Sequence, residues 1–351
     1  MKRYRFISFL AVFLIFSMVL TGCTVEIATK AENPKDYKDK LIVHFIDVGQ
    51  GDSTFIQFPN GETSLIDGGS RQYGERVVNY IKDLGIEKID YLIGTHPHED
   101  HIGGLPEVVR NFKIGKVYMP NRTANTRIFE ELLLEVDSQD LKIHLAKAKD
   151  YIIDDEQLKY YILAPNRDDY SETNDFSIVT KIEYMKNSFI IAGDAEESSE
   201  LDMIKNSTNL KSDVLRIAHH GGRTSSNEKF LEKVNPKYSI ISVGSDNSYG
   251  HPHRETLNRL KEIDTYIMRT DELGNIVLVS DGNELTHLGE ATEKSSTQIE
   301  YLGNKNTKVY HSKDCNSLPK EENQIIFKSM KEAEENGYKP HDKCVKQGEI
   351  K

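Results

Sequence analysis

Thr95-His96-Pro97-His98-Glu99-Asp100-His101-Ile102-Gly103-Gly104 sets three histidines and an aspartate within six consecutive positions. It follows the apolar run Tyr91-Leu92-Ile93-Gly94, so it reads as a loop delivered by the end of a strand. On such a loop His96 and His98, two residues apart, face one point. Imidazole and carboxylate donors together suit zinc, manganese or iron better than calcium or magnesium.

Upstream, 41–47 is an apolar, β-prone run, followed by Asp47-Val48-Gly49-Gln50-Gly51-Asp52-Ser53, whose glycines permit a tight backbone. Strands are predicted over 53–58 and 63–67. Asn60-Gly61 between them is a hairpin signal, and Asp67-Gly68-Gly69 ends the second. Spacing predicts helices over 74–84 and 105–112 around the strand 90–95. Downstream it predicts strands at 116–119, 160–163, 177–183, 188–192, 214–218, 238–243 and 275–279. Helices are predicted at 126–136, 196–205, around Phe230-Leu231 and at 254–263. This mixed alternation is an α/β, layered composition of helices packed on sheets. The run Phe189-Ile190-Ile191-Ala192 ends in Gly193-Asp194, and 214–218 ends in His219-His220-Gly221-Gly222. Tyr249-Gly250-His251-Pro252-His253 closes the set of polar strand ends.

The pattern H-x-H-x-D-H resembles the signature of the metallo-β-lactamase superfamily of metal-dependent hydrolases. The resemblance implies an αβ/βα sandwich, two sheets face to face with helices outside. It implies two divalent ions, zinc or manganese, held by His96, His98, Asp100, His101, Asp194 and His220. Asp194 is the bridging carboxylate and Asp67 the brace of the histidine loop, with Asp47 and Asp52 behind the ligands. His220 is favoured over its neighbour His219 as the ligand, with His219 near the substrate, though adjacent histidines leave both assignments open. Many members carry one more histidine between the loop and the bridging aspartate. Here that interval holds only His144, in Ile143-His144-Leu145, and the expected position reads Asn174-Asp175-Phe176-Ser177-Ile178-Val179. The first ion is therefore left with His96, His98 and Asp194.

Phe45-Ile46-Asp47-Val48-Gly49-Gln50-Gly51-Asp52, the histidine loop, 174–179, Ala192-Gly193-Asp194, His219-His220-Gly221 and 249–253 occur in that order. Together they resemble the soluble hydrolase domain of ComEC-family competence proteins over about residues 41–290. That resemblance implies phosphodiester hydrolysis, with DNA as a candidate substrate. A water activated between two ions attacks phosphorus, and Asp100, Asp194, His219 and His251 (or His253) serve the reaction. The multi-spanning channel of a full competence protein is missing, so translocation is not implied.

Residues 1–22 read as a signal peptide, with basic Lys2, Arg3 and Arg5 and an apolar segment from Phe6 to Leu20. Leu20-Thr21-Gly22-Cys23 resembles a bacterial lipobox, which implies lipid on Cys23. The body would then be tethered by 23–40 on the outer face of the cytoplasmic membrane. The chain has 351 residues and a net charge of -11. Such a surface does not draw in a polyanion unaided, so metal ions would have to do so locally.

Residues 291–304 read as a linker and 305–351 as a small module. His311-x3-Cys315 and His341-x2-Cys344 resemble the ligand spacing of Ada-type DNA repair proteins, with two of the family's four cysteines replaced. The set either holds a structural zinc as Cys2His2 or closes a Cys315–Cys344 disulfide. The module carries ten lysines against eight acidic residues, the opposite balance to the whole chain. Tyr301 and Tyr310 are predicted to pack in its core. The sequence therefore points to a membrane-anchored two-metal phosphodiesterase acting on DNA. Its rivals are a phosphorylcholine-esterase-like enzyme of the cell wall and a non-catalytic surface protein that binds polymers.

Overall fold

Side-chain alternation along the strands assigns each face to one of three apolar layers. Leu41, Val43 and Phe45 point one way, as do Ile56, Ile66 and Ile93. They meet Tyr160, Ile182, Phe189, Ile191, Val214 and Ile240 in a single buried cluster. Phe55, Leu65 and Leu92 point the other way and pack with Val77, Val78, Ile81, Val108 and Leu132. Ile190, Leu215 and Ile241 likewise face Met203, Phe230, Leu231 and Leu260.

The computed structural model describes residues 37, 39–207, 209–288, 301–312, 315, 317–327, 330–341 and 344–345. The chain divides after Lys38, and the second unit, Asp39–Lys351, carries every feature below. The signal segment, Cys23 and nearly all of the tether lie outside the described residues. The first sheet is built from β1 (Leu41–Phe45), β2 (Thr54–Gln57), β3 (Thr63–Ile66), β4 (Lys88–Ile93), β5 (Lys113–Met119) and β6 (Ile143–Leu145). The second takes β7 (Tyr151–Asp154), β8 (Leu158–Ala164), β9 (Val179–Tyr184), β10 (Asn187–Ile191), β11 (Val214–Arg216), β12 (Tyr238–Ile241) and β13 (Tyr266–Arg269). β14 (Ile276–Ser280) and β15 (Leu285–Leu288) return to the first sheet. The orders are β15-β14-β1-β2-β3-β4-β5-β6 and β13-β12-β11-β10-β9-β8-β7. With helices Gly74–Asp83, Leu105–Asn111 and Arg127–Ser138 outside the first sheet and Glu197–Asn206, Glu228–Val234 and Arg254–Glu262 outside the second, this is the αβ/βα sandwich.

The strands β6, β7, β13 and β15 were not legible as strands; all are short and all four lie at sheet edges. His144 is exposed on edge strand β6, its ring packed on Tyr118. The third sheet, β18-β16-β17-β19, joins β16 (Tyr301–Asn304), β17 (Val309–Ser312), β18 (Gln324–Phe327) and β19 (Lys339–Pro340). Its first strand falls inside the segment expected as linker, because Leu302 is needed in the sheet and Tyr301 packs edge-on against fully buried Tyr310.

His44 is a buried polar group on β1, bonded through Nδ1 to Tyr80 and through Nε2 to Gln57. Burial pulls its pKa down to about 4. The folded state thus prefers neutral His44, and its contribution is complete above about pH 6.5 and lost as pH falls towards 4. Relative to a His44→Gln variant, unfolding titrations of the wild type should lose about 3 kcal/mol over that window. A difference that stays constant with pH contradicts this.

Candidate metal centre

The histidine loop is fixed by Asp67, which leaves β3 with a φ of 59°. One carboxylate oxygen accepts the Thr95 backbone N–H at 2.8 Å; the other accepts the Thr95 hydroxyl at 2.6 Å and faces His101 Nδ1 at 2.7 Å. An ionised carboxylate only accepts, so Nδ1 of His101 carries its proton and Nε2 presents a lone pair. The same logic sets His220, whose Nδ1 lies 3.0 Å from the Ser242 carbonyl. His96 Nδ1 faces the hydroxyls of Thr95 at 3.2 Å and Ser177 at 3.3 Å. Since the Thr95 hydroxyl gives its proton to Asp67, His96 is the donor there. Three histidines from two sheets therefore aim unprotonated Nε2 atoms inward.

Those atoms converge on Asp194, just beyond β10. One of its oxygens is 3.2 Å from His101 Nε2, and the pair makes no hydrogen bond. The other is 4.0 Å from His96 Nε2 and 3.8 Å from His220 Nε2. His98 Nδ1 lies 2.9 Å from His96 Nε2, and Asp100 reaches His220 Nε2 at 3.2 Å and His101 Nε2 at 4.0 Å. Ligand atoms around an ion with bonds of about 2.0–2.2 Å sit roughly 3.3–3.5 Å apart. The ligand atoms gather as His96, His101 and Asp194 and as Asp100, His101 and His220, a donor set that fits metal ions; His98, exposed beside His96, belongs to neither group.

The field has the sign a cation requires. Burial opposes ionisation of Asp194 and Asp100, yet His101 and His220 outweigh it and hold both carboxyls well below the usual range. Burial also opposes a charge on His101, and Asp194, Asp67 and Asp100 overcome it. Three carboxylates around one imidazole demand a cation, either a proton or a metal. Burial, then neighbouring His101, keeps His96 neutral.

His219 does not join the cluster. It turns to Glu196, with Nδ1 3.0 Å from the carboxylate, and its ring lies 5.3 Å from that of His251. Both His219 and His220 have positive φ, 54° and 52°, which sends neighbouring side chains to different sides. Gly221, at φ 82°, packs against Pro252, whose side chain would collide with any Cβ there. Asp47 is a correction: its carboxylate caps the Gly49 N–H at 3.0 Å and faces Arg76 at 3.7 Å, ordering the first loop instead of backing the ligands. Asp52 is buried behind the centre, its backbone N–H on the Asp100 carbonyl and its carboxylate 3.7 Å from His101 Nδ1. Asn174, at the place of the absent histidine, donates to Glu196 at 3.0 Å. His251 faces Gln50 at 3.4 Å, and His253 accepts the Arg223 backbone N–H at 3.2 Å.

Arg216 was missed. Fully buried on β11, it pairs with Asp52, binds the Gly193 carbonyl and lies 3.8 Å from Asp194. Its one visible signal was a charge inside the apolar run Val214-Leu215-Arg216-Ile217. Glu196 and Gln50 were missed too, since single polar residues beside a motif carry no periodic signal.

In the terminal module His311, Cys315, His341 and Cys344 gather their ligand atoms within 4.8 Å of one another. Successive separations around the set are 3.4, 3.5, 3.2 and 3.9 Å. A tetrahedral zinc with bonds of about 2.0–2.3 Å needs edges of roughly 3.3–3.8 Å, so the set fits zinc. The disulfide alternative is not formed, since both cysteines are free. Arg254 donates to the Cys344 carbonyl at 3.0 Å, joining this module to the hydrolase body one residue beyond His253.

Residues 46–245 match the metallo-beta-lactamase superfamily and residues 290–346 the metal binding domain of Ada. The chain belongs to the metallo-β-lactamase superfamily and is a metal-dependent hydrolase carrying an Ada-like zinc-binding domain. Its relatives are competence proteins of the ComEC family. It is 31% identical to ComE operon protein 3 of Bacillus subtilis over 67% of this chain and 32% of that one. It is 28% identical to recombination protein 2 of Haemophilus influenzae over 74% of this chain and 31% of that one. Over 105 residues it is 31% identical to endoribonuclease ysh-1 of Neurospora crassa, which is 27% of this chain and 12% of that one. The chain thus spans about a third of the length of its competence and recombination relatives.

Replacing Asp67 with Asn leaves His101 free to turn; metal affinity by calorimetric titration should fall about ten- to hundred-fold with the fold retained. Unchanged affinity contradicts the bracing role. Cys344→Ser should remove about one zinc per chain by elemental analysis without emptying the hydrolase centre.

Proposed function

We propose that this chain is a two-metal phosphodiesterase acting on DNA. The observation that carries it is the charge of the centre. Four carboxylates, Asp52, Asp67, Asp100 and Asp194, surround the centre, and Arg216 is the buried guanidinium set against them. Two divalent ions more than offset that deficit and leave a cationic floor suited to an anionic diester. The similarity to a protein named as an endoribonuclease supports the same bond type. The Ada-like module supports DNA as the polymer.

When bound, the two ions supply Lewis acidity and a nucleophilic water. The chain supplies orientation and proton handling. His251 is half-buried, and its pKa is drawn down to about 4 by burial and then by His220 and His219, so it is neutral. With Nδ1 turned to the Gln50 amide, it offers its Nε2–H to a phosphoryl oxygen. His219, steered by Glu196, presents its other nitrogen beside His251 for proton transfer to the leaving oxygen. Without a third histidine, an ion held at His96 would keep positions open for substrate. In the cell we place the enzyme on the outer face of the cytoplasmic membrane, held by lipid on Cys23. Its partners there are the membrane surface and a phosphodiester polymer.

The protein lacking residues 1–22, loaded with zinc or manganese, should hydrolyse DNA and bis-p-nitrophenyl phosphate. Asp100→Ala should reduce turnover roughly 10²–10³-fold. Activity should fall in acid as the carboxylate and imidazole ligands protonate. Full occupancy by zinc, manganese or cobalt with no phosphodiester turnover would overturn the proposal.

A further inference from the structure

The imidazoles of the centre continue outward as a ladder of rings. From His220, buried at the metal centre, the next ring is His251 at 6.1 Å, and beyond it lies Tyr249 at 5.7 Å. The planes of Tyr249 and His251 are inclined by only 23°, a stacked pair. Both steps fall in the range of aromatic contacts. Exposure rises along the ladder, from 1% at His220 to 68% at Tyr249. Among the described residues no other large hydrophobic side chain is as exposed as Tyr249.

An aromatic ring left in water at the mouth of a hydrolytic centre needs an explanation, and the loop that carries it is built to hold it still. The Asn247 side chain donates to the carbonyls of Gly244 at 2.7 Å and His251 at 2.8 Å and accepts the His251 N–H at 2.9 Å. The Gln50 carbonyl oxygen accepts the Gly244 N–H at 3.3 Å, and the Gln50 amide meets His251. The loop is thereby tied to the glycine-rich turn after β1. One face of Tyr249 rests on His251, and the ring as a whole is solvent-exposed. The flanking exposed cations are Arg223, whose backbone N–H holds His253, and Arg254.

We propose that Tyr249 is a stacking platform for a nucleobase of single-stranded nucleic acid, beside the phosphate held at the metal centre. This rests on the phosphodiesterase reading and adds the substrate's strandedness and the residue that selects it. Bases in a single strand expose their faces, and stacking on an aromatic side chain tolerates any base. A duplex buries those faces and could not use the platform. A quaternary ammonium group, the headgroup of a phosphorylcholine ester, prefers several aromatic faces around one cation. Here the second ring of the pair covers Tyr249 instead of facing it across a cavity.

The test compares two single-stranded oligonucleotides, one intact and one with an abasic residue next to the scissile phosphate, cleaved by the metal-loaded full body. The wild type should prefer the intact strand by about tenfold or more in kcat/KM, chiefly through KM. Tyr249→Ala should abolish that preference, and Tyr249→Phe should keep it. The inference is overturned if the wild type shows no preference for the base, or if Tyr249→Ala loses the same factor on both strands. It is equally overturned if Tyr249→Ala impairs only p-nitrophenylphosphorylcholine turnover, which would make the platform a choline surface. Those outcomes leave the phosphodiesterase reading standing; a wild type that cleaves no phosphodiester removes both.

Discussion

The centre depends on one constraint: three buried imidazoles must each spend Nδ1–H on a fixed acceptor so that Nε2 can face inward. Asp67, the hydroxyls beside His96 and the Ser242 carbonyl are those acceptors. Each lies on or next to a strand end of the sandwich, so the tautomers of the histidines are set by the register of two sheets. Turning any ring over would place a proton where a lone pair is required. This is why a buried carboxylate at a positive φ, expensive in itself, is retained at Asp67.

Arg216 gives the centre its second constraint. Asp52, close behind His101, would be an unpaired buried charge without it, and burial alone pushes the Asp52 carboxyl up. The guanidinium also grips the Gly193 carbonyl, which precedes Asp194. One side chain thus fixes the floor under His101 and the approach of the bridging carboxylate. Loss of such a pair by removing one partner costs about 3–5 kcal/mol, more than a surface ion pair contributes.

The long apolar runs were legible because their period and flanking glycines repeat the physics of strands, and the histidine loop because few folds crowd imidazoles so tightly. Asp194 and His220 were found through family resemblance, and nothing in periodicity pointed to them. The choice between His219 and His220 needed the backbone, since two adjacent left-handed residues decide which ring turns inward. Asp47 looked equivalent to Asp52 in the same loop, yet only Asp52 faces the centre. Arg216, Glu196 and Gln50 were illegible because each acts through a partner distant in sequence. The edge strands β6 and β7 were hidden because they are too short to show a period.

The two candidate metal sites are linked through the bond from Arg254 to the Cys344 carbonyl, next to the histidines of the mouth. The central claim is the unequal pair of ion sites sharing Asp194. Anomalous diffraction from crystals grown with manganese and with zinc tests it directly. The account predicts two peaks about 3.5–4 Å apart flanking Asp194. One should lie on His96, the other on Asp100, His101 and His220. A single peak, or a pair in which His219 replaces His220 or Asp194 touches neither ion, would contradict it.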